Sequence, residues 1–198
     1  QDFGMNVHSF AVSSAHPDLS AVGLLESSSG IIGTATLIAP NIFVTAAHVV
    51  KNSVSDPLPK GDNWKFILAD DFDKATDSQI HSILKFEILP AWITRQTDGF
   101  NNGLGDGDRI GVDLCLGFLQ EDIYEVYPLP LAASKIEPVG ERVVIAGFGT
   151  QIDGVDGVIS SNNSQRLAGE NILDRVVGKV EISSLPEEQW GGLLAVDF

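Results

Sequence analysis

Short apolar runs separated by turn-forming residues set the pattern of this chain. Gly, Pro, Asn and Asp interrupt the hydrophobic stretches, and few of these stretches have the period of a helix. The pattern predicts strands within residues 31–38, 42–44, 64–68, 80–88, 114–119, 142–148, 173–182 and 193–198. A single helical turn is predicted, at residues 46–50. Many short strands with turn residues between them indicate an all-β protein, built as a barrel or a sandwich.

Three segments interrupt the predicted strands. Residues 97–108 and 153–164 are dense in Gly, Asn and Asp, and both are predicted to be loops. Residues 127–131, with the sequence Tyr-Pro-Leu-Pro-Leu, fit a connector between two halves. We therefore predict two domains, at residues 1–126 and 127–198.

Composition and charge narrow the classes of partner. The chain has 198 residues, a hydrophobic fraction of 43% and a formal net charge of -15. The hydrophobic fraction is that of a globular protein with a core. The acidity argues against nucleic acid or an anionic membrane as a partner. No run approaches the roughly 18 apolar residues of a membrane-spanning helix, so none is predicted.

The single cysteine and the first residues bear on the compartment. Cys115 lies inside an apolar run, so we expect a small buried hydrophobe, with a reactive thiol as the alternative. The start Gln1-Asp2-Phe3 has neither the basic region nor the apolar segment of a signal peptide. A secreted mature protein would begin in this way, and so would a fragment. We expect a secreted or periplasmic protein.

Two side chains are candidates for acid–base chemistry. His48 follows the apolar run 42–44, and the small residues Ala46 and Ala47 leave room around its ring. Histidine is the side chain whose ordinary pKa best suits proton transfer near neutral pH. Asp113 stands at the head of the apolar run 114–119, where its carboxylate would be partly desolvated.

These segments resemble three motifs of the trypsin-like (chymotrypsin-fold) serine proteases, in the order of that family. The sequence Thr-Ala-Ala-His at 45–48 is similar to the family's histidine segment, and Val-Asp-Leu-Cys-Leu at 112–116 to its aspartate segment. The sequence Gly-Phe-Gly-Thr at 147–150 is similar to the strand that opens the second barrel, with Phe148 in place of a tryptophan.

The resemblance implies an all-β fold of two six-stranded Greek-key β-barrels and serine endopeptidase activity on a polypeptide substrate, without a cofactor. In that activity His48 would be the general base and then the acid, and Asp113 would orient it. We expect about 2.6–3.2 Å between Nδ1 of His48 and a carboxylate oxygen of Asp113.

One departure from the family affects a structural bridge. The vertebrate enzymes have a disulfide between the strand before the histidine and the residue after it. Gly33 and Val49 occupy the matching positions here. Both cysteines are absent together, as expected for structural partners, so we expect Gly33 and Val49 to be close neighbours with Cα atoms about 5–7 Å apart.

A second departure concerns the nucleophile. No GDSGG or GxSxG sequence occurs in residues 1–198. The resemblance then implies that the serine lies beyond this sequence, that the second barrel is incomplete, and that this chain alone is inactive. We expect a second chain, a continuation or a symmetry-related copy to cover the apolar strand at 193–198. The main alternative is a non-catalytic homologue that acts as a binding or interaction domain. A third is one chain of a clipped protease, with the catalytic serine on a second chain that stays associated.

Simpler interpretations of the same side chains remain open. His48 would then be a core histidine, and Asp113 would cap a turn or pair with Arg109. The acidic residues at 106–108 and 70–77 suggest calcium, but hydrated acidic turns are the favoured interpretation. We assign no role to the other histidines, His8, His16 and His81.

Overall fold

The computed structural model describes residues 11–12, 17–53, 55–94, 111–132, 139–149, 151–153, 157–160, 164–177 and 193–195. The strands are β1 Val22–Ser27, β2 Ile32–Ala39, β3 Ile42–Thr45, β4 Trp64–Ile67, β5 Ile80–Ile88, β6 Cys115–Leu119, β7 Arg142–Gly147, β8 Gln151–Asp153, β9 Gly157–Ser160, β10 Leu167–Ile172, β11 Arg175–Val177 and β12 Leu193–Ala195. The all-β class predicted from the sequence is confirmed.

Short helices connect several of the strands. The predicted helical turn is present as the helix Ala47–Val50, and a second helix, Pro90–Thr94, was not predicted. Its first residue is a proline, which lacks a backbone N–H. The N–H of a first helical residue has no partner within the helix, so the proline removes no hydrogen bond there. Single 3₁₀ turns lie at Gly61–Asn63, Phe72–Lys74 and Asp77–Gln79. No helix in the described part of the chain is long and apolar enough to cross a membrane.

The first six strands close into a barrel in the order β1-β2-β3-β6-β5-β4, and every neighbouring pair is antiparallel. The rings of Phe43 and Phe66 stack in its interior with centroids 4.7 Å apart. Gly117 on β6 makes room for them, because a Cβ there would lie 1.9 Å from Cζ of Phe43. The six-stranded first barrel implied by the resemblance is thus present.

Strand β1 buries both of its faces, and the sequence analysis missed it. Leu25 points into the barrel core, while Leu24 packs on the other side with Ile67, Ala69 and Phe148. A strand that is apolar on both faces lacks the alternation that marks a half-buried strand.

The described residues of the second half form three two-stranded antiparallel sheets, β7 with β10, β8 with β9, and β11 with β12. The loop predicted at 153–164 is corrected here, since β9 lies inside it and β8 reaches its first residue. Strand β10 begins before the strand predicted at 173–182 and was missed. The apolar strand predicted at 193–198 has a partner on one edge, because β12 pairs with β11.

A buried arginine joins the second half to the first. Arg166 is 2% exposed and donates hydrogen bonds to the carbonyl oxygens of Val22 (2.8 Å) and Ala69 (3.4 Å). Its guanidinium also pairs with Asp70 at 2.8 Å. Two separate segments of the first half, at Val22 and at Ala69-Asp70, therefore meet one side chain of the second. The division at 126 and 127 stays a prediction.

Candidate active site

The pairing of β3 with β6 brings His48 and Asp113 together. The two strands are antiparallel with Thr45 opposite Cys115, so the end of β3 lies beside the start of β6. His48 follows β3 in the first turn of the helix Ala47–Val50, and Asp113 precedes β6 by two residues. Two residues that are 65 positions apart in the chain thus lie at the same end of one strand pair.

Asp113 makes two hydrogen bonds to His48. Its Oδ2 lies 2.6 Å from the ring Nδ1, and its Oδ1 accepts the backbone N–H of His48 at 2.8 Å. The expected hydrogen-bond distance between the two side chains is confirmed. A carboxylate acceptor at Nδ1 favours the tautomer with the proton on Nδ1, which leaves the lone pair of Nε2 available. The His48 side chain is 49% exposed and that of Asp113 is 12% exposed, so the ring lies at the surface above a largely buried carboxylate.

The backbone hydrogen bond also completes the start of the helix. The residue before it, Ala46, has no side chain that could accept a hydrogen bond from the first turn. The N–H groups of a first helical turn have no partner within the helix, and Asp113 accepts one of them from a distant part of the chain. Asp113 therefore caps a turn, as the simpler interpretation held, and orients the ring as well. Arg109 lies outside the described residues.

Buried neighbours that sequence reasoning missed hold the other end of this helix. Trp92 is 1% exposed, and its indole N–H donates to the carbonyl of Lys51 at 2.9 Å. Lys51 is 3% exposed, and its ammonium donates to the carbonyls of Ser53 and Asp56. The sequence signal for this arrangement was a lysine directly after an apolar helical turn. That signal does not show which groups the lysine contacts.

Cys115 lies beside the pair and takes no part in it. The thiol is 1% exposed, so the predicted small buried hydrophobe is confirmed. Burial raises the pKa of the Cys115 thiol to about 12, and the negative charge of Asp113 acts in the same direction. The sulfur therefore stays protonated at neutral pH, which makes it a poor nucleophile.

The pair that replaces the family's disulfide is in contact. A Cβ on Gly33 would lie 3.3 Å from Cβ and 2.5 Å from Cγ1 of Val49. Bridged cysteines have Cβ atoms about 3.5–4.5 Å apart, so these are the positions of a bridge. The predicted proximity of Gly33 and Val49 is confirmed. The branched side chain of Val49 fills the space above the glycine.

The acidic stretch at 70–77 has structural partners. Asp70 pairs with Arg166, and Asp71 pairs with Lys74 at 2.8 Å. The hydrogen bond from Lys74 lowers the pKa of Asp71, with a second contribution from Ser164. No group of three or more His, Cys, Asp or Glu residues that could hold a metal ion occurs among the described residues. The other acidic segment, at 106–108, and the histidines His8 and His16 lie outside them.

Comparisons with known proteins agree with this geometry. Residues 12–176 match the family model described as Trypsin. Among solved structures, the chain is similar to neuropsin, a serine protease expressed in the limbic system of mouse brain, with a TM-score of 0.56 and 17% identity. That similarity covers 80% of this chain and 61% of the neuropsin chain, and at this identity it concerns the fold alone. No curated protein matches the sequence.

Proposed function

We propose that this chain, which belongs to the trypsin family of serine proteases, carries the base and the orienting acid of a serine endopeptidase. The nucleophilic serine would lie outside residues 1–198, and the substrate would be a polypeptide. The observation that carries the proposal is the pair of hydrogen bonds from His48 to the carboxylate of Asp113.

The geometry suits His48 to accept a proton as a base and then to donate it as an acid. With its Nδ1 proton held by Asp113, His48 can accept the hydroxyl proton of a serine at Nε2 as that serine attacks the peptide carbonyl. The carboxylate of Asp113 then stabilises the imidazolium. His48 next donates the proton to the leaving amine, and the neutral ring activates the water that releases the acyl group. This chemistry needs no cofactor, and a secreted or periplasmic location would suit it.

Replacing the carboxylate by an amide tests the role of Asp113. In Asp113→Asn the amide oxygen can still accept the backbone N–H of His48, but the NH₂ group faces Nδ1. The ring must then place its proton on Nε2, so the base is lost. We expect kcat for a peptide substrate to fall by about 10⁴-fold, with binding little changed.

The measurement uses the natural protein with its flanking sequence. Asp122→Asn is the matched control, because Asp122 is an exposed carboxylate that bonds the hydroxyl of Tyr124 and should leave kcat unchanged. Titration with a fluorophosphonate should label one serine outside residues 1–198. A natural protein that takes up no label and turns over no peptide would instead be a non-catalytic homologue, and labelling of a serine within 1–198 would contradict the location proposed for the nucleophile.

A further inference from the structure

We propose that the hydroxyl of Thr34 is a positioning group that fixes the second half of the chain against the strand that carries His48. Thr34 lies on β2, and apart from the ladder of the sheet its hydrogen bonds to described residues go to Phe148 and Thr45 and not to His48. The inference rests on the proposed function, because it concerns how a nucleophile supplied outside the first barrel would be held near the base.

Thr34 holds both polar backbone groups of one residue in the second half. The N–H of Phe148 donates to Oγ1 of Thr34 at 2.9 Å, and that hydroxyl donates in turn to the carbonyl of Phe148 at 3.4 Å. The approach depends on Gly147, because a Cβ there would lie 2.7 Å from Oγ1 of Thr34. Phe148 is buried among Leu24, Ile67 and Ala69 of the first half, and the hydrogen bonds to Thr34 are partly buried.

The same residue is tied to the strand of the histidine. The carbonyl of Thr34 accepts the hydroxyl proton of Thr45 at 2.8 Å. Thr45 is 6% exposed, ends β3 three residues before His48, and stands opposite Cys115. The next residue back along β2, Gly33, lies against Val49, directly after the histidine. Gly33 and Thr34, adjacent on β2, thus contact residues on both sides of His48 in the chain and also the end of β7.

This arrangement matters because base and nucleophile must meet within a narrow range of distances. In the proposed enzyme the base stands on the first barrel, and the nucleophile follows Phe148 in the chain. A displacement of about 1 Å between such groups can cost about 100-fold in rate. A hydroxyl that donates and accepts at one backbone unit fixes both position and orientation, whereas packing alone permits sliding.

The test compares three substitutions in the natural protein. Thr34→Val keeps the shape of the side chain and removes both hydrogen bonds, while Thr34→Ser keeps the hydroxyl. Thr36→Val is the matched control, since Thr36 lies two residues along the same strand and its side chain makes no hydrogen bond to a described residue. Amide exchange of Phe148 and the NMR resonance of the His48 Nδ1 proton are measured in each variant.

In Thr34→Val we expect the amide of Phe148 to exchange about tenfold faster and the His48 Nδ1 resonance to shift. We also expect kcat to fall about tenfold with KM within about twofold. Thr34→Ser should restore all three values, and Thr36→Val should change none. A merely structural contact would not move the histidine resonance or separate kcat from KM.

The outcomes keep the two proposals apart. If the unaltered protein has no peptidase activity, the proposed function is wrong, and the exchange and NMR data alone decide the role of Thr34. An unchanged Phe148 amide or an unchanged His48 resonance in Thr34→Val would overturn the inference. So would an equal effect of Thr36→Val on those signals.

Discussion

In the first barrel, β1 to β6 pair edge to edge until the sheet closes, whereas the described strands of the second half pair only two at a time. Their buried residues differ in the same way. The largest hydrophobic cluster belongs to the first barrel and the segments beside it. The clusters that include Ala168 or Phe148 of the second half also include residues of β1. The described part of the second half therefore uses the barrel as a packing surface, while the barrel fixes the His48–Asp113 pair with its own strands.

Adding a methyl group at Gly117, in the closed first barrel, should have the largest effect on stability. The Cβ would lie 1.9 Å from Cζ of Phe43, inside a closed barrel that cannot widen at one strand. We expect Gly117→Ala to lower the free energy of unfolding by about 3 kcal/mol. Thiol labelling of Cys115 at pH 8 reports opening of this barrel, because the buried thiol, with a pKa raised to about 12, reacts only when exposed. Labelling should become about 100-fold faster.

The matched control lies on a strand of the other half. Among the described residues, no atom beyond its chain neighbours lies within 4 Å of a Cβ placed on Gly169 of β10, so Gly169→Ala should change the free energy of unfolding by less than about 0.5 kcal/mol. Equal effects of the two substitutions would contradict the contrast between a tightly closed barrel and an open two-stranded sheet.

Removing Arg166 should loosen the second half and spare the first. Arg166→Met keeps much of the buried volume but leaves the carbonyls of Val22 and Ala69 without this donor, so we expect a loss of about 2 kcal/mol. Asp70→Asn should lower the free energy of unfolding by less, because the Asp70 side chain is 59% exposed and Arg166 keeps its hydrogen bonds to both carbonyls. In Arg166→Met, amide exchange should accelerate at Ala168 of the second half before it accelerates at Phe43 of the barrel. The reverse order would show that the barrel does not stabilise its neighbour.

The smallest expected effect is a pH dependence of stability that arises from one histidine of the first barrel. Desolvation lowers the pKa of the half-buried His81 on β5 below its ordinary 6.5, although Glu125 and Glu121 act in the opposite direction. The unfolded chain then binds the proton more tightly, so the stability contributed by neutral His81 is fully present above pH 6.5 and is lost as the pH falls from there through the lower pKa of the folded state. His81→Gln should flatten thermal unfolding midpoints between pH 7.5 and 5, and an identical slope in both proteins would exclude His81 as the cause.

Sequence reasoning found the two candidate residues because each stands in a local pattern. His48 ends an apolar run, and Asp113 begins one, so a short window was enough for each. Their two hydrogen bonds depend on the register of β3 against β6, which sets Thr45 opposite Cys115. Register between segments 65 positions apart is a tertiary property, and only the resemblance to a family anticipated it.

The missed elements failed for different physical reasons. Strand β1 is buried on both faces, and β10 contains the polar and flexible run at 169–171, so neither alternates as a half-buried strand does. The helix Pro90–Thr94 is too short to show a helical period. Arg166 gives no local sign of burial, because its partners come from two distant segments, at Val22 and at Ala69-Asp70.

The double role of Asp113 has an evolutionary consequence. One oxygen bonds the imidazole and the other bonds the first turn of a helix, so a homologue without the proposed catalysis would still use this carboxylate in its helix. The helix start uses the backbone N–H of residue 48, which any residue other than proline supplies. Under the proposed function, homologues that lose proteolysis should therefore change position 48 earlier than position 113, and an aspartate without its histidine would mark such a lineage.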